Sequence, residues 1–348
     1  RYCKQHSIDW EIKSKTLKIF RPDLPSPKRD YKLKIELRDY QQEIVDKCIS
    51  AGRGTVVLAT AGGKTLTMAS LLEYYYQNAN KFFKCLIIVP DLGLVNQTHG
   101  DFNDYETGFS HSIWSGNNEL NNNTNIVIAN MGILQSEKSD IKWLNDIDIL
   151  IVDETHKLRK DNKINKIIKS IQTPHKFGFT GTLPDEPEDM WNIFGKIGPK
   201  LYERKAYELR KDNYVTPAKV HIFQLNYKAI LSEIYNKEIP MSFYLQEGEF
   251  IKTNEYRNNF ISKLTSRLDN NTLILIDYIE HGEILFEFLT KFCEDKKVFF
   301  IQGDVEIEER KKIQNLMEKD KDIIVIAISK IFSTGINIKN LHYIIFGN

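Results

Sequence analysis

From about residue 55 onward, short apolar blocks alternate with helix-length segments. In a first series the blocks are residues 55–59, 85–90, 125–130, 147–154 and 176–182. They are continuous runs, the pattern of parallel strands covered on both faces. Between them lie stretches of helical spacing such as 66–78 and 164–171. Repeated strand–helix units predict an α/β fold with a doubly wound parallel sheet. A second series follows at 220–225, 272–277, 297–303, 322–329 and 341–348. The stretch 184–217 between the series carries mixed charge with several Pro and Gly, which places a domain boundary near its end. The expected organisation is therefore an extension over 1–36, read as the end of an upstream domain, then one α/β domain over 37–214 and a second over 215–348. The Asn-rich segment 116–125 reads as a solvated loop.

At 348 residues, 41% hydrophobic and 27% charged, the chain has room for two soluble domains. No apolar run reaches the length that crosses a bilayer, so the expected location is cytoplasmic, the host cytoplasm if the gene belongs to a phage. Lys+Arg and Asp+Glu nearly cancel, 48 against 47. That balance does not exclude a nucleic-acid partner, because gripping phosphates needs only local positive potential. Cys3, Cys48, Cys85 and Cys293 form no CxxC pair, which points to isolated thiols in a reducing compartment and against a zinc site. The chain opens on Arg1 rather than Met, so a piece of a longer protein is expected.

The segment Ala59-Thr60-Ala61-Gly62-Gly63-Lys64-Thr65 follows an apolar strand and precedes a helical pattern, the context of a phosphate-binding loop. Glycines let the backbone wrap an anion, and the N–H groups of the helix start supply donors. Lys64 would reach the β- and γ-phosphates of ATP, and the Thr65 hydroxyl would ligate Mg²⁺. Leu58 and Ala61 depart from the common form of the loop. By itself, the loop fits a kinase or a GTPase as well. Ile-Leu-Ile-Val-Asp-Glu-Thr-His over 149–156 brings two acids out at the end of a buried strand, where α/β sheets place ligands. Asp153 would hold Mg²⁺ and Glu154 would polarise an attacking water. The competing reading is that both acids cap the next helix; a phosphate loop upstream favours the catalytic one.

The Asp-Glu-Thr-His box, the loop before it and Thr180-Gly181-Thr182 after it resemble the superfamily-two helicases of the DExH type. The resemblance implies two RecA-like domains with a nucleotide cleft between them. Leu37-Arg38-Asp39-Tyr40-Gln41 resembles the adenine-recognising segment, which implies ATP contacts from Arg38 and Gln41 beside Thr60, Ala61, Gly62, Gly63, Lys64 and Thr65. His156 completes the catalytic set with Lys64, Asp153 and Glu154. Thr180, Gly181 and Thr182 match the segment that couples hydrolysis to movement, with Gly181 in place of the usual Ala. Pro90 and Gln97 lie in a segment similar to a nucleic-acid backbone contact, and Asn130 sits at another. In the second half, Gly303 and Arg310 fit a backbone-contact segment. Residues 333–337 (Ser-Thr-Gly-Ile-Asn) fit the motif between nucleic acid and nucleotide, with Thr334 on the nucleic acid and Gly335 and Asn337 on ATP. Segments 177–183, 215–225 and 331–342 resemble the UvsW helicases of tailed bacteriophages, a likeness running from about residue 37 to the end.

What the resemblance implies is an ATP- and Mg²⁺-dependent helicase acting on single-stranded or branched DNA, or on RNA–DNA hybrids, in recombination, repair or replication. An arginine-finger segment of the QxxGRxxR form is not found, so weak hydrolysis by this chain is expected. Two other functions share the same residues: a translocase that pumps duplex DNA without separating it, and a nucleotide-gated clamp with vestigial hydrolysis. The remaining distinctive residues have plainer readings. Tyr74, Tyr75 and Tyr76 would pack one helix face and expose another; Trp114, Trp143 and Trp191 would be core or boundary aromatics; His281 and His342 would be structural or polar surface groups. Lys157, Arg159 and Lys160 would form a solvated face.

Overall fold

The computed structural model describes residues 33–79, 82–116, 118–136, 142–159, 162–216, 219–226, 242–302, 307–329, 338 and 340–347, without the side chains of 307–311 and 314. The expected extension over 1–32 lies outside them. The chain divides into two compact units, Arg1–Ala218 and Lys219–Asn348.

In the first unit seven strands form one sheet: β1 Arg53–Leu58, β2 Cys85–Val89, β3 His111–Trp114, β4 Ile126–Asn130, β5 Ile149–Asp153, β6 His175–Thr180 and β7 Lys200–Arg204. Their order is β3-β4-β2-β5-β6-β1-β7, and every pairing is parallel. The continuous apolar runs are explained by the two cores they serve. Along β2, Cys85, Ile87 and Val89 enter one core, while Leu86 and Ile88 enter the other. Along β5, Ile149 and Ile151 face the first core and Leu150 and Val152 the second. Each such side chain, withdrawn from water, contributes about 1.5–3 kcal/mol. Because all seven strands run the same way, their C-terminal ends emerge at one edge, and the candidate chemistry sits there.

Two strands of this sheet escape the apolar-block pattern. β3 (His-Ser-Ile-Trp) is only partly buried, and β7 (Lys-Leu-Tyr-Glu-Arg) is an edge strand with exposed positions. Edge strands need little apolar surface. The stretch 184–217 is thus not only connection: helix Pro187–Lys196, β7 and helix Ala206–Lys211 complete the first unit. Trp114 and Trp143 meet edge-on in its second core, 5.6 Å between centroids. Trp191 corrects expectation: it is 74% exposed, because its helix turns Ile193 inward instead. Tyr74 and Tyr75 are buried and Tyr76 is exposed.

The second unit holds β8 Thr272–Ile276, β9 Lys297–Ile301, β10 Ile323–Ile328 and β11 Tyr343–Phe346, ordered β11-β8-β10-β9 and parallel throughout. Helices Glu255–Ser266 and Ile279–Phe292 supply Ile261, Leu285 and Leu289 to the core on one face. Helix Ile307–Lys319 supplies Ile313 and Met317 to the other. The strand expected at 220–225 does not form: residues 219–226 are without regular structure, and Val220 and Ile222 are 84% and 89% exposed. An apolar alternation makes a strand only where a neighbouring ladder and a covering layer accept it. Asn271 ties this unit together, its Nδ2 donating to the carbonyls of Met317, Asp320 and Asn340 and its Oδ1 accepting from Ile323 N. His281 is buried against Asn258, and His342 is exposed.

Candidate nucleotide site and nucleic-acid segments

β1 ends at Leu58, and helix Lys64–Asn78 begins at the far side of the loop. The turn needs left-handed backbone at Gly63 (φ 80°) and Ala61 (φ 64°), a conformation that costs Ala more than Gly. Leu58 packs beneath Gly62, where a Cβ would lie 2.6 Å from Leu58 Cγ. The residue that departs from the common loop therefore fills the space that Gly62 leaves. Gly63, at the N-cap of the helix, contributes no side-chain cap, so the first-turn N–H groups remain available to an anion.

The segment before β1 braces this loop. Arg38 N donates to Gln41 Oε1 (2.9 Å), Gln41 Nε2 donates to Gly62 O (3.0 Å) and Tyr40 Oη donates to the same carbonyl (2.8 Å). Gln41 is only 2% exposed. On the other side, Ala59 N donates to Arg204 O (3.1 Å) at the end of β7.

β5 delivers the acids. Asp153 is 5% exposed, and its Oδ1 accepts from Glu154 N at 2.9 Å. Glu154 takes φ 49° and ψ 52° and makes no side-chain cap to the 3₁₀ turn Thr155–Lys157 that follows, so the capping reading fails for it. Instead Glu154 Oε1 lies 3.2 Å from Lys64 Nζ, and its Oε2 lies 3.2 Å from His156 Nδ1. His156 Nδ1 is also 3.0 Å from Thr180 Oγ1. The single Thr180 hydroxyl proton goes to Thr182 O at 2.7 Å; His156 must then donate, which assigns the proton to Nδ1. Lys64, Glu154, His156, Thr180 and Thr182 thus form one connected chain. Gly181 lies beside Thr60: a Cβ on it would stand 3.8 Å from Thr60 Oγ1.

Burial pushes the Asp153 carboxyl up to about 6, with the Glu154 charge adding to it. Burial pushes Glu154 up as well, but the hydrogen bond from His156 and the charge of Lys64 outweigh it and hold the carboxyl at about 2. A desolvated Asp153 is a hard oxygen donor short of a counter-charge. With a threonine hydroxyl nearby, it fits Mg²⁺, which takes one or two carboxylates and completes its shell with phosphate and water. Among the described residues no cluster of three His, Cys, Asp or Glu could cage a metal alone, consistent with an ion that arrives with its nucleotide. Thr65 has a partner that sequence reasoning missed: its hydroxyl hydrogen-bonds the Asp101 carboxylate, near the end of helix Leu92–Asp104. Only packing of the two helices brings them together; no motif carries it.

The other half of the sheet edge holds the expected nucleic-acid segments. Pro90 follows β2, and Asn130 ends the neighbouring β4. Asn130 Nδ2 donates to Pro90 O (3.3 Å), while its Oδ1 accepts from Gly132 N (2.8 Å). Gln97 is half-buried on helix Leu92–Asp104. Gly303, Thr334, Gly335 and Asn337 lie outside the described residues, as does Lys160; Arg310 is on helix Ile307–Lys319, its side chain outside the description. Lys157 and Arg159 are exposed.

Two family models match the chain: the type III restriction enzyme, res subunit, over residues 34–185, and the helicase conserved C-terminal domain over residues 256–348. The ATP-dependent DNA helicase uvsW of Enterobacteria phage T4 is 28% identical over 326 residues, 90% of this chain and 62% of that protein. The DNA 3'-5' translocase XPB2 of Sulfurisphaera tokodaii is 28% identical over 191 residues, 54% of this chain and 40% of that protein. The chain therefore spans less than two thirds of the length of either relative. In fold it is similar to the Pyrococcus furiosus Hef helicase domain, with a TM-score of 0.60 at 14% identity over 90% of this chain and 89% of that one. With both family models in helicase order, and two parallel α/β units beneath them, the chain belongs to the superfamily-two helicases of the DExH type.

Proposed function

We propose that the chain is the motor portion of an ATP-dependent DNA helicase that unwinds or remodels branched DNA in recombination, repair or replication. The observation that carries this reading is the connected chain Lys64–Glu154–His156–Thr180–Thr182. It joins a phosphate-gripping lysine to the coupling segment through the residue that would orient water. Lys64 and the first-turn N–H groups bind the triphosphate. Thr65 and Asp153 hold Mg²⁺, which when bound would neutralise charge on the transferring phosphoryl group. Glu154 orients the attacking water, and His156 passes the state of Glu154 to Thr180 through its Nδ1 proton. Pro90, Gln97 and Asn130 supply phosphate-backbone contacts on the same sheet edge, so binding is expected to be weakly sequence-specific and salt-sensitive. The second unit would supply further nucleic-acid and ATP contacts from Gly303, Arg310, Thr334, Gly335 and Asn337. The likeness to uvsW favours single-stranded or branched DNA as partner, with RNA–DNA hybrids as alternative substrates.

ATP turnover with and without single-stranded DNA, RNA and forked DNA tests the proposal. Stimulation by forked or single-stranded DNA supports it; turnover indifferent to every nucleic acid overturns it. A duplex translocase is the second reading, favoured by the likeness to the XPB2 translocase. Displacement of a forked strand supports the helicase, whereas displacement of a triplex strand from intact duplex supports the translocase.

A further inference from the structure

Gln41, the residue expected to read adenine, has its amide turned to the protein. It is 2% exposed, accepts from Arg38 N and donates to Gly62 O, and a Cβ on Gly63 would overlap its Nε2. Gln41 therefore braces the phosphate loop, and little of it is left to pair with a base edge. Arg38, by contrast, is exposed. Its guanidinium lies over the Tyr214 ring, 5.0 Å from the centroid, and its Nη1 donates to Tyr40 Oη at 3.1 Å.

Arg204 holds the same ring from another direction, 5.5 Å from the Tyr214 centroid and 4.5 Å over Tyr40. Tyr40 meets Tyr214 edge-on at 5.1 Å and 64°. The stack is anchored to the phosphate loop twice, through Tyr40 Oη to Gly62 O and through Ala59 N to Arg204 O. Tyr214 and Arg204 lie beyond the matched residues 34–185 and in none of the motifs.

We propose that Arg38 is the stacking platform for the base of the bound nucleoside triphosphate, and that Tyr214 and Arg204 are the positioning residues that hold its plane. A free arginine loses rotamer freedom on forming a stack; one already held between two tyrosines loses less. A guanidinium platform rewards overlap with a flat ring, so it selects purine over pyrimidine and discriminates weakly between adenine and guanine. This inference rests on the reading that a triphosphate seats at the Lys64 loop.

The test is calorimetric binding of ATP, GTP, CTP and inorganic tripolyphosphate, each with Mg²⁺, to the full chain and to Tyr214→Leu and Tyr214→Phe. The wild type should bind ATP and GTP within about threefold of each other and both about tenfold more tightly than CTP. Tyr214→Leu should bring both purines to the CTP value with tripolyphosphate unchanged, and Tyr214→Phe should retain the wild-type ratio. A Tyr214→Leu variant that loses tripolyphosphate equally, or that keeps its purine preference, overturns the inference. A strong preference of the wild type for ATP over GTP overturns it too. If the wild type binds neither ATP nor tripolyphosphate, the seating of a triphosphate at Lys64 fails first.

Discussion

Lys64 Nζ lies 3.2 Å from Glu154 Oε1, so without nucleotide the two residues neutralise each other. That contact, with the hydrogen bond from His156, is what holds the Glu154 carboxyl at about 2 against burial. A carboxylate held so low is a poor base. When Lys64 turns to a β- or γ-phosphate, one of those two influences leaves Glu154, and its basicity rises when a water needs orienting. Glu154→Gln should therefore bind ATP more tightly than wild type, because Lys64 is released, while turnover falls by about 10²–10⁴. Lys64→Ala should lose both binding and turnover. Equilibrium binding and single-turnover hydrolysis separate the cases; a Glu154→Gln protein with weakened ATP binding would falsify the neutralisation argument.

Two glycines of one segment should respond oppositely to a methyl group. A Cβ on Gly181 would meet Thr60 Oγ1 at 3.8 Å and backbone atoms at 3.9 Å, ordinary contacts, and its φ is not in the left-handed region. Gly181→Ala should therefore stabilise the fold by about 0.4–1 kcal/mol through the unfolded state and leave nucleotide binding intact. A Cβ on Gly178 would stand 2.5 Å from Thr155 Cγ2 and 3.1 Å from Ile197 Cγ2. Gly178→Ala should destabilise by about 1–3 kcal/mol and displace the Asp-Glu-Thr-His box, since Thr155 has nowhere to go. Urea unfolding of both variants checks the pair, and equal effects would count against it.

How much of this was legible in the sequence depends on how local each cause is. The strands at 85–89, 149–153 and 323–328 were readable because a buried parallel strand must be apolar on both faces. β7 was not: an edge strand such as Lys-Leu-Tyr-Glu-Arg has one covered flank and looks like any charged stretch. Val220 and Ile222 mislead for the converse reason, as apolar residues with no sheet to join. The phosphate loop and the acids were legible because their chemistry lies in consecutive residues. The burial of Gln41 was not, since it comes from Gly62 and Gly63 folding back over a helix that starts more than twenty residues earlier. The contacts of Tyr214 with Arg38 and of Asp101 with Thr65 likewise join residues far apart in the chain.

The second unit carries an acid-sensitive contact of its own. Burial, with the charges of Arg257 and Lys252 adding, holds His281 down at about 4, below the ordinary value of about 6.5. Its Nε2 bonds to Asn258 Oδ1 at 3.0 Å, which a neutral ring with its proton on Nε2 satisfies. A folded value below the unfolded one means that stability is fully present above about pH 6.5 and is lost as pH falls towards 4. The loss should be on the order of 2 kcal/mol. His281→Gln keeps a donor for Asn258 without a titrating ring, so its melting temperature should fall less steeply between pH 6.5 and 4. Identical slopes for the two proteins would remove His281 from the account.

Asp101 gives the most direct route from the nucleic-acid side to the metal. Helix Leu92–Asp104 begins just after Pro90, capped by Asp91 Oδ1 accepting from Leu94 N at 3.0 Å, and carries Gln97 along its length. Near its other end Asp101 takes the Thr65 hydroxyl proton, which leaves the Thr65 lone pairs for a cation. Outer partners of this kind typically govern metal affinity by about 10–100-fold. Asp101→Ala should therefore raise the Mg²⁺ concentration needed for half-maximal ATP binding by at least about tenfold. At saturating Mg²⁺, ATP affinity should recover. Asp101→Asn still accepts the Thr65 proton and should fall between the two. Because the same helix presents Gln97, Mg²⁺ titrations of the wild type with and without single-stranded DNA should differ, and in Asp101→Ala they should coincide. If the Mg²⁺ midpoint of Asp101→Ala matches wild type, the Thr65 hydroxyl does not depend on this carboxylate for its orientation.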